Sequence, residues 1–193
     1  MVRKHRMFVV AGLVVGALAA ASLAIASAFD KPLEPPKVPP SKHFTARLTG
    51  YQEVAFAANG TSISTAGFGD FTADLVSDTQ LHYTLRFSDL EGGNTLFAHV
   101  HLGQRGTAGG VSFFLCGGGG KPACPNSPAE VSGDVGPADV IGPAGQGIAP
   151  GEFDEIVKAM QAGYAYANVH TTVYPSGEIR GQINSDTGEK GDK

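Results

Sequence analysis

The chain has 193 residues, with 14 Lys+Arg against 18 Asp+Glu and a formal charge of −4. Its first 28 residues hold three of the basic residues and no acid, so the remainder carries 11 basic and 18 acidic residues, a charge of −7. An acidic chain without a basic run argues against nucleic acid or anionic lipid as a partner, and beyond residue 28 no stretch is long and apolar enough to cross a membrane.

The N-terminus begins with Arg3-Lys4-His5-Arg6 and continues with an uncharged run, Met7 to Ala28, that ends in Ala26-Ser27-Ala28. A basic start, an apolar middle and small residues at the end predict a secretory signal peptide over 1–28. The alternative is an uncleaved membrane anchor, since the run is long enough to span a bilayer. Either reading puts the rest outside the cytoplasm, secreted or periplasmic. Residues 29–42 contain Pro32, Pro35, Pro36, Pro39 and Pro40 and read as an extended linker. One domain is expected over 43–184, followed by a polar tail over 185–193.

That domain reads as mainly β, because short alternating runs are separated by turn residues. Strands are predicted at Phe44–Thr49, Gly67–Val76 and Leu81–Phe87. In the third, Leu81, Tyr83, Leu85 and Phe87 share one face, so His82 falls on the polar face as an ordinary solvated histidine. The next strand, Leu96–Leu102, contains Phe97-Ala98-His99-Val100-His101-Leu102. Side chains two apart on a strand face the same way, so His99 and His101 oppose Ala98, Val100 and Leu102. Val111–Leu115 is a further short strand, and Glu130–Val135 another. Residues 103–110 and 117–126 are Gly-rich connections, long enough to be functional. The motif Asn59-Gly60-Thr61 fits a glycosylation acceptor.

Cys116 and Cys124 are the two cysteines. In an oxidising compartment a nearby pair forms a disulfide. A pair of thiolate metal ligands is the rival reading, without CxxC spacing to support it.

One helix is expected after Pro150-Gly151-Glu152. There Phe153, Ile156, Val157 and Met160 recur at helical spacing, and Gly163 is the stop. In the strand that follows, Ala165, Ala167 and Val169 oppose Tyr164, Tyr166, Asn168 and His170. A turn at Tyr174-Pro175-Ser176-Gly177 leads into a last strand, Glu178–Ile183. With the small apolar residues inward, His99, His101 and His170 all project from the outer face of the sheet. Three imidazoles on rigid strands suit copper or zinc, provided the strands are neighbours, which the sequence does not establish. Asn168, Glu178 and Arg180 on the same face could orient a ligand ring or attract an anion. The bland alternative makes the histidines hydrogen-bonded braces of the fold, in a module that binds protein or glycan. No Gly-x-Ser-x-Gly, HExxH or phosphate-cradling glycine pattern supports an enzyme of those classes.

The chain resembles the CHRD (chordin) domain family. The matching pieces are Leu48-Thr49-Gly50-Tyr51-Gln52-Glu53-Val54, Ala98-His99-Val100-His101-Leu102-Gly103, Ala167-Asn168-Val169-His170-Thr171 and Pro175-Ser176-Gly177-Glu178-Ile179-Arg180-Gly181-Gln182-Ile183. The family usually has Pro after Gln-Glu-Val, where this chain has Ala55-Phe56. The resemblance implies an immunoglobulin-like or superoxide-dismutase-like antiparallel β-sandwich or barrel with one short helix. It also implies the bacterial, single-domain, secreted type. A second, local likeness is to the copper strand of Cu/Zn superoxide dismutases, in His99-Val100-His101, Gly103, Thr107-Ala108-Gly109 and His170. The bridging histidine and the zinc cluster have no counterpart. That likeness implies a zinc-less copper site and makes a dismutase-like enzyme a further alternative; an accessible open position on the ion would suit copper storage, delivery or redox chemistry.

Overall fold

A computed structural model of the protein describes residues 41–54 and 60–186. The signal peptide, almost all of the linker, Asn59, the Ala55-Phe56 departure and the tail from 187 lie outside the described residues.

The strands are β1 (His43–Thr49), β2 (Phe68–Ser77), β3 (Gln80–Ser88), β4 (Thr95–Leu102), β5 (Val111–Cys116), β6 (Ala129–Val135), β7 (Ala165–Thr171), β8 (Ile179–Gln182) and β9 (Asn184–Ser185). Eight of them follow one path, β5-β4-β7-β8-β1-β2-β3-β6, and β9 pairs with β1. The strand pairings are antiparallel. The end strands β5 and β6 approach each other, and the Tyr83 hydroxyl of β3 donates to the Leu115 carbonyl of β5 at 2.7 Å. The sheet therefore nearly closes into a barrel. Closure removes most of the exposed strand edge that an open sheet would present.

Alternation decides what fills it. Leu81, Tyr83, Leu85 and Phe87 of β3 are buried while His82 is exposed, its Nδ1 2.8 Å from Asp134. Phe44, Ala46 and Leu48 of β1 and Phe71 and Ala73 of β2 join them in the core. Helix α1 (Phe153–Gln161) buries Phe153, Ile156, Val157 and Met160 and exposes Lys158, which pairs with Asp154 and Glu155. It ends before Gly163, whose φ of +76° suits glycine. Among the described residues no helix is long and apolar enough to cross a membrane.

The sheet departs from simple alternation at β4, β7 and β8. Every residue of β7 and β8 is buried, on both faces. The inner face carries Ala165, Ala167, Val169 and Ile179. The outer one carries Tyr166, Asn168, His170, Arg180 and Gln182 beneath covering loops. A one-sided sheet has become a two-layered one here, and its second layer is polar.

Candidate metal centre

Strand pairing brings the histidines together. In the β4–β7 register, His99 lies opposite Asn168, Phe97 opposite His170 and His101 opposite Tyr166. His99 and His101 are two apart on one strand, and His170 sits diagonally across on the next. Ring centroids are 4.4 Å apart for His99–His101 and for His99–His170, and 6.4 Å for His101–His170. One ring nitrogen from each histidine lies within 4.8 Å of the other two, a group that could hold a metal ion. Donors around one ion with bonds of about 2.0 Å stand at most about 4 Å apart. The widest pair must therefore draw in by roughly an ångström on loading.

Burial makes the donors available. His99, His101 and His170 are 5%, 8% and 6% exposed. Burial, reinforced by the His170 and His101 rings, pushes His99 down to about 2. Burial likewise takes His101 and His170 down to about 4. All three are neutral at pH 7, the form that ligates metal. His101 Nδ1 faces the Gly109 carbonyl at 2.8 Å, and His170 Nδ1 faces the Pro175 carbonyl at 3.0 Å. A carbonyl only accepts, so both Nδ1 atoms carry the proton and both Nε2 atoms carry the lone pair. Those two Nε2 atoms, with Nδ1 of His99, are buried and without a hydrogen-bond partner. An orphaned buried polar atom costs about 1–3 kcal/mol. Here each ring of one close cluster carries such an atom, and an ion with nitrogen affinity bound there could satisfy them.

The surroundings hold the rings in place. Tyr166 stacks on His101, and the Arg180 guanidinium lies 3.4 Å from the Tyr166 centroid. Arg180 also donates to the carbonyls of Thr107 (2.6 Å) and Gln104 (3.0 Å), strapping the 103–110 loop over the sheet. The Gly109 N–H donates to the Tyr166 hydroxyl at 3.0 Å. Phe97 lies 5.5 Å from His170, and Phe114 stands edge-on to His99 at 5.2 Å. Asn168 donates to the Glu53 carboxylate and, at 3.0 Å, to the Ile179 carbonyl. Burial raises the Glu53 pKa above the usual carboxylate range, against the opposing pull of the Val54 N–H, Asn168 and Arg180.

Glu178 sits at the head of β8 and is fully buried. Its carboxylate accepts from Thr65 and Thr171 hydroxyls at 2.7 and 2.8 Å, and from the Glu91 and Gly92 N–H groups at 2.7 and 3.0 Å. These bonds fasten the loop before β4 rather than a ring nitrogen. Cys116 and Cys124 form a disulfide, so the thiolate-ligand alternative does not apply. The sequence placed Tyr166 on this face without a role for it, and did not place Glu53 in this layer. The Gln52-Glu53-Val54 motif and the unusual polarity of the Tyr166-Asn168-His170 face were the available signals.

An almost closed antiparallel barrel carrying a three-histidine cluster on its outer face is the class the fold and site define. A family model for the CHRD domain matches residues 44–183. The chain belongs to the CHRD domain family. No curated protein and no solved structure matches it.

Proposed function

We propose that this is an extracytoplasmic CHRD-domain protein that binds copper through His99, His101 and His170 and stores or delivers it. One observation carries the reading: three neutral, buried imidazoles bring one ring nitrogen each within 4.8 Å of the others, and every one of them buries a ring nitrogen without a hydrogen-bond partner. Histidines needed only as braces would have used those atoms in hydrogen bonds. Copper is favoured over zinc by the likeness of the His-x-His strand and the late histidine to dismutase copper ligands, without the zinc cluster. Storage or delivery is favoured over turnover because the donor atoms are sealed from solvent. The extracytoplasmic reading rests on the basic-apolar-small N-terminus and on a disulfide, a bond that persists in oxidising compartments.

Metal analysis of untagged protein from copper-replete cells tests this. One copper per chain, lost in His99→Ala and in His170→Ala, is the expected result. Zinc in its place would move the assignment to zinc, and no metal at all would overturn the reading. Superoxide turnover no faster than that of free copper is expected of the loaded protein.

A further inference from the structure

Resting on the copper reading above, we infer that the His99–His101–His170 centre is built for monovalent copper and discriminates against divalent ions. The donor set carries no charge. Among the described residues, the group that could hold the ion comprises the three histidines alone, without a carboxylate or a thiolate. Both cysteines are consumed in the disulfide. The buried acids of this region are committed elsewhere, Glu53 to Asn168 and the Val54 N–H, Glu178 to Thr65, Thr171 and the loop before β4.

The cation nearest the ligand rings is Arg180, with the Glu53 carboxylate close enough to attract it and held by Asn168 rather than by a ring nitrogen. Arg180 lies on the far side of the Tyr166 ring, whose near side lies on His101. Two further walls are the rings of Phe97 and Phe114. The cost of taking an ion out of water grows as the square of its charge, so a divalent ion pays roughly four times the penalty of a monovalent one. With neutral donors and two phenyl walls, and with the Glu53 carboxylate spent on Asn168 and Arg180, no carboxylate ligates the ion to return the difference.

Coordination number points the same way. Zinc with three protein ligands completes a tetrahedron with water, and its charge would be offset only if that water became hydroxide. Here the donor atoms are buried from solvent. Monovalent copper has a filled d shell and accepts three nitrogens in a plane with no fourth ligand.

The test is an anaerobic titration of the untagged full-length chain with Cu(I), in competition with bicinchoninate, beside titrations with Cu(II) and Zn(II). One Cu(I) per chain with three nitrogen neighbours by X-ray absorption is expected, bound at least about 100-fold more tightly than Cu(II). That ratio raises the potential of the bound couple by about 120 mV, at 59 mV per tenfold for one electron. Phe97→Asp, at a partly exposed position, places a carboxylate beside His99 and His170 and should shrink the preference at least tenfold. Equal affinity for Cu(I) and Cu(II), both lost in His170→Ala, would overturn the inference and leave the copper reading standing. Zn(II) binding with no copper binding in either state would overturn both. A preference untouched by Phe97→Asp would also overturn the inference, because charge would then not be the cause.

Discussion

Tyr166 lies flat against His101, with 4.5 Å between ring centroids and 6° between planes. Its hydroxyl takes the Gly109 N–H, and the Gly109 carbonyl takes the proton of His101 Nδ1. One residue thus sets the plane of the His101 ring and holds the loop that fixes its tautomer. Tyr166→Phe keeps the stack and orphans one N–H, at a cost of about 1 kcal/mol. It should lower the melting temperature by about 2–4 °C and leave copper stoichiometry at one. Tyr166→Ala should weaken copper binding more than about tenfold, or 1.4 kcal/mol. Melting curves and competition titrations of both variants decide whether the ring or the hydroxyl matters.

His99 differs from the other two histidines of the cluster. Its partnerless atom is Nδ1, and its flanks are Phe114, Phe97 and the other histidines. In the metal-free protein that nitrogen is a liability. His99→Leu should therefore raise the stability of chelator-treated protein by about 1 kcal/mol, the value of removing one unsatisfied buried group. The same variant should gain nothing from added copper, whereas the parent gains according to ligand concentration over Kd. A histidine that braced the fold would show the opposite, destabilisation with no change in response to metal.

The strands were legible because one face of each is apolar and the period is two. β3 follows that pattern residue for residue, and the Phe153–Met160 spacing marked the helix. The outward direction of His99, His101 and His170 followed from the same alternation. What local pattern could not supply was the β4–β7 register, which joins segments some seventy residues apart and places His170 diagonally from His99. Nor could it show that the outer face of β7 and β8 is buried. Arg180 reads as an exposed cation on an alternating strand, yet it is 2% exposed. Its burial depends on the carbonyls of a loop more than seventy residues earlier. Glu178 looked equivalent to Arg180 by facing, but three of its four partners come from the loops before β2 and β4, which no periodicity links to it.

Glu178 supplies a contrast between stability and metal. Four donors surround its carboxylate, and Gly92 approaches so closely that an added Cβ would run into Thr171 and Glu178. Glu178→Gln turns one acceptor into a donor among donors, at a cost of about 3 kcal/mol or more. Urea unfolding should register that loss, while copper stoichiometry measured well below the transition stays at one. A fall in copper affinity without a fall in stability would instead give Glu178 a direct part in orienting a ligand.

Acid should destabilise the chelator-treated protein before its carboxylates titrate. The unfolded chain binds protons at histidine below about 6.5. In the fold, burial holds His101 and His170 neutral until about 4, and His99 lower still. The unfolded state therefore binds more protons between those limits, and stability, complete above pH 7, falls as pH drops through the window. Each histidine contributes a slope of about 1.4 kcal/mol per pH unit. Glu53, with its pKa raised by burial, works in the opposite sense at the acid end. Denaturation midpoints between pH 7.5 and 4.5 check the slope, and His99→Leu should remove about a third of it.

The disulfide reaches the histidine cluster through one aromatic ring. Cys116 ends β5 and is bonded to Cys124 eight residues on. Within the loop, Gly118 and Gly119 press on Phe114 so closely that an added Cβ would stand 2.5 and 2.9 Å from its ring atoms. Phe114 in turn meets His99 edge-on. Closing a loop of this length is worth about 2–3 kcal/mol in the chain-entropy account. Replacing both cysteines by serine should cost that much in urea unfolding. If the loop also holds Phe114 against His99, the serine variant should release copper to a chelator several-fold faster at a temperature where it remains folded. A release rate equal to the parent's, beside the expected loss of stability, would confine the disulfide to bracing the barrel edge.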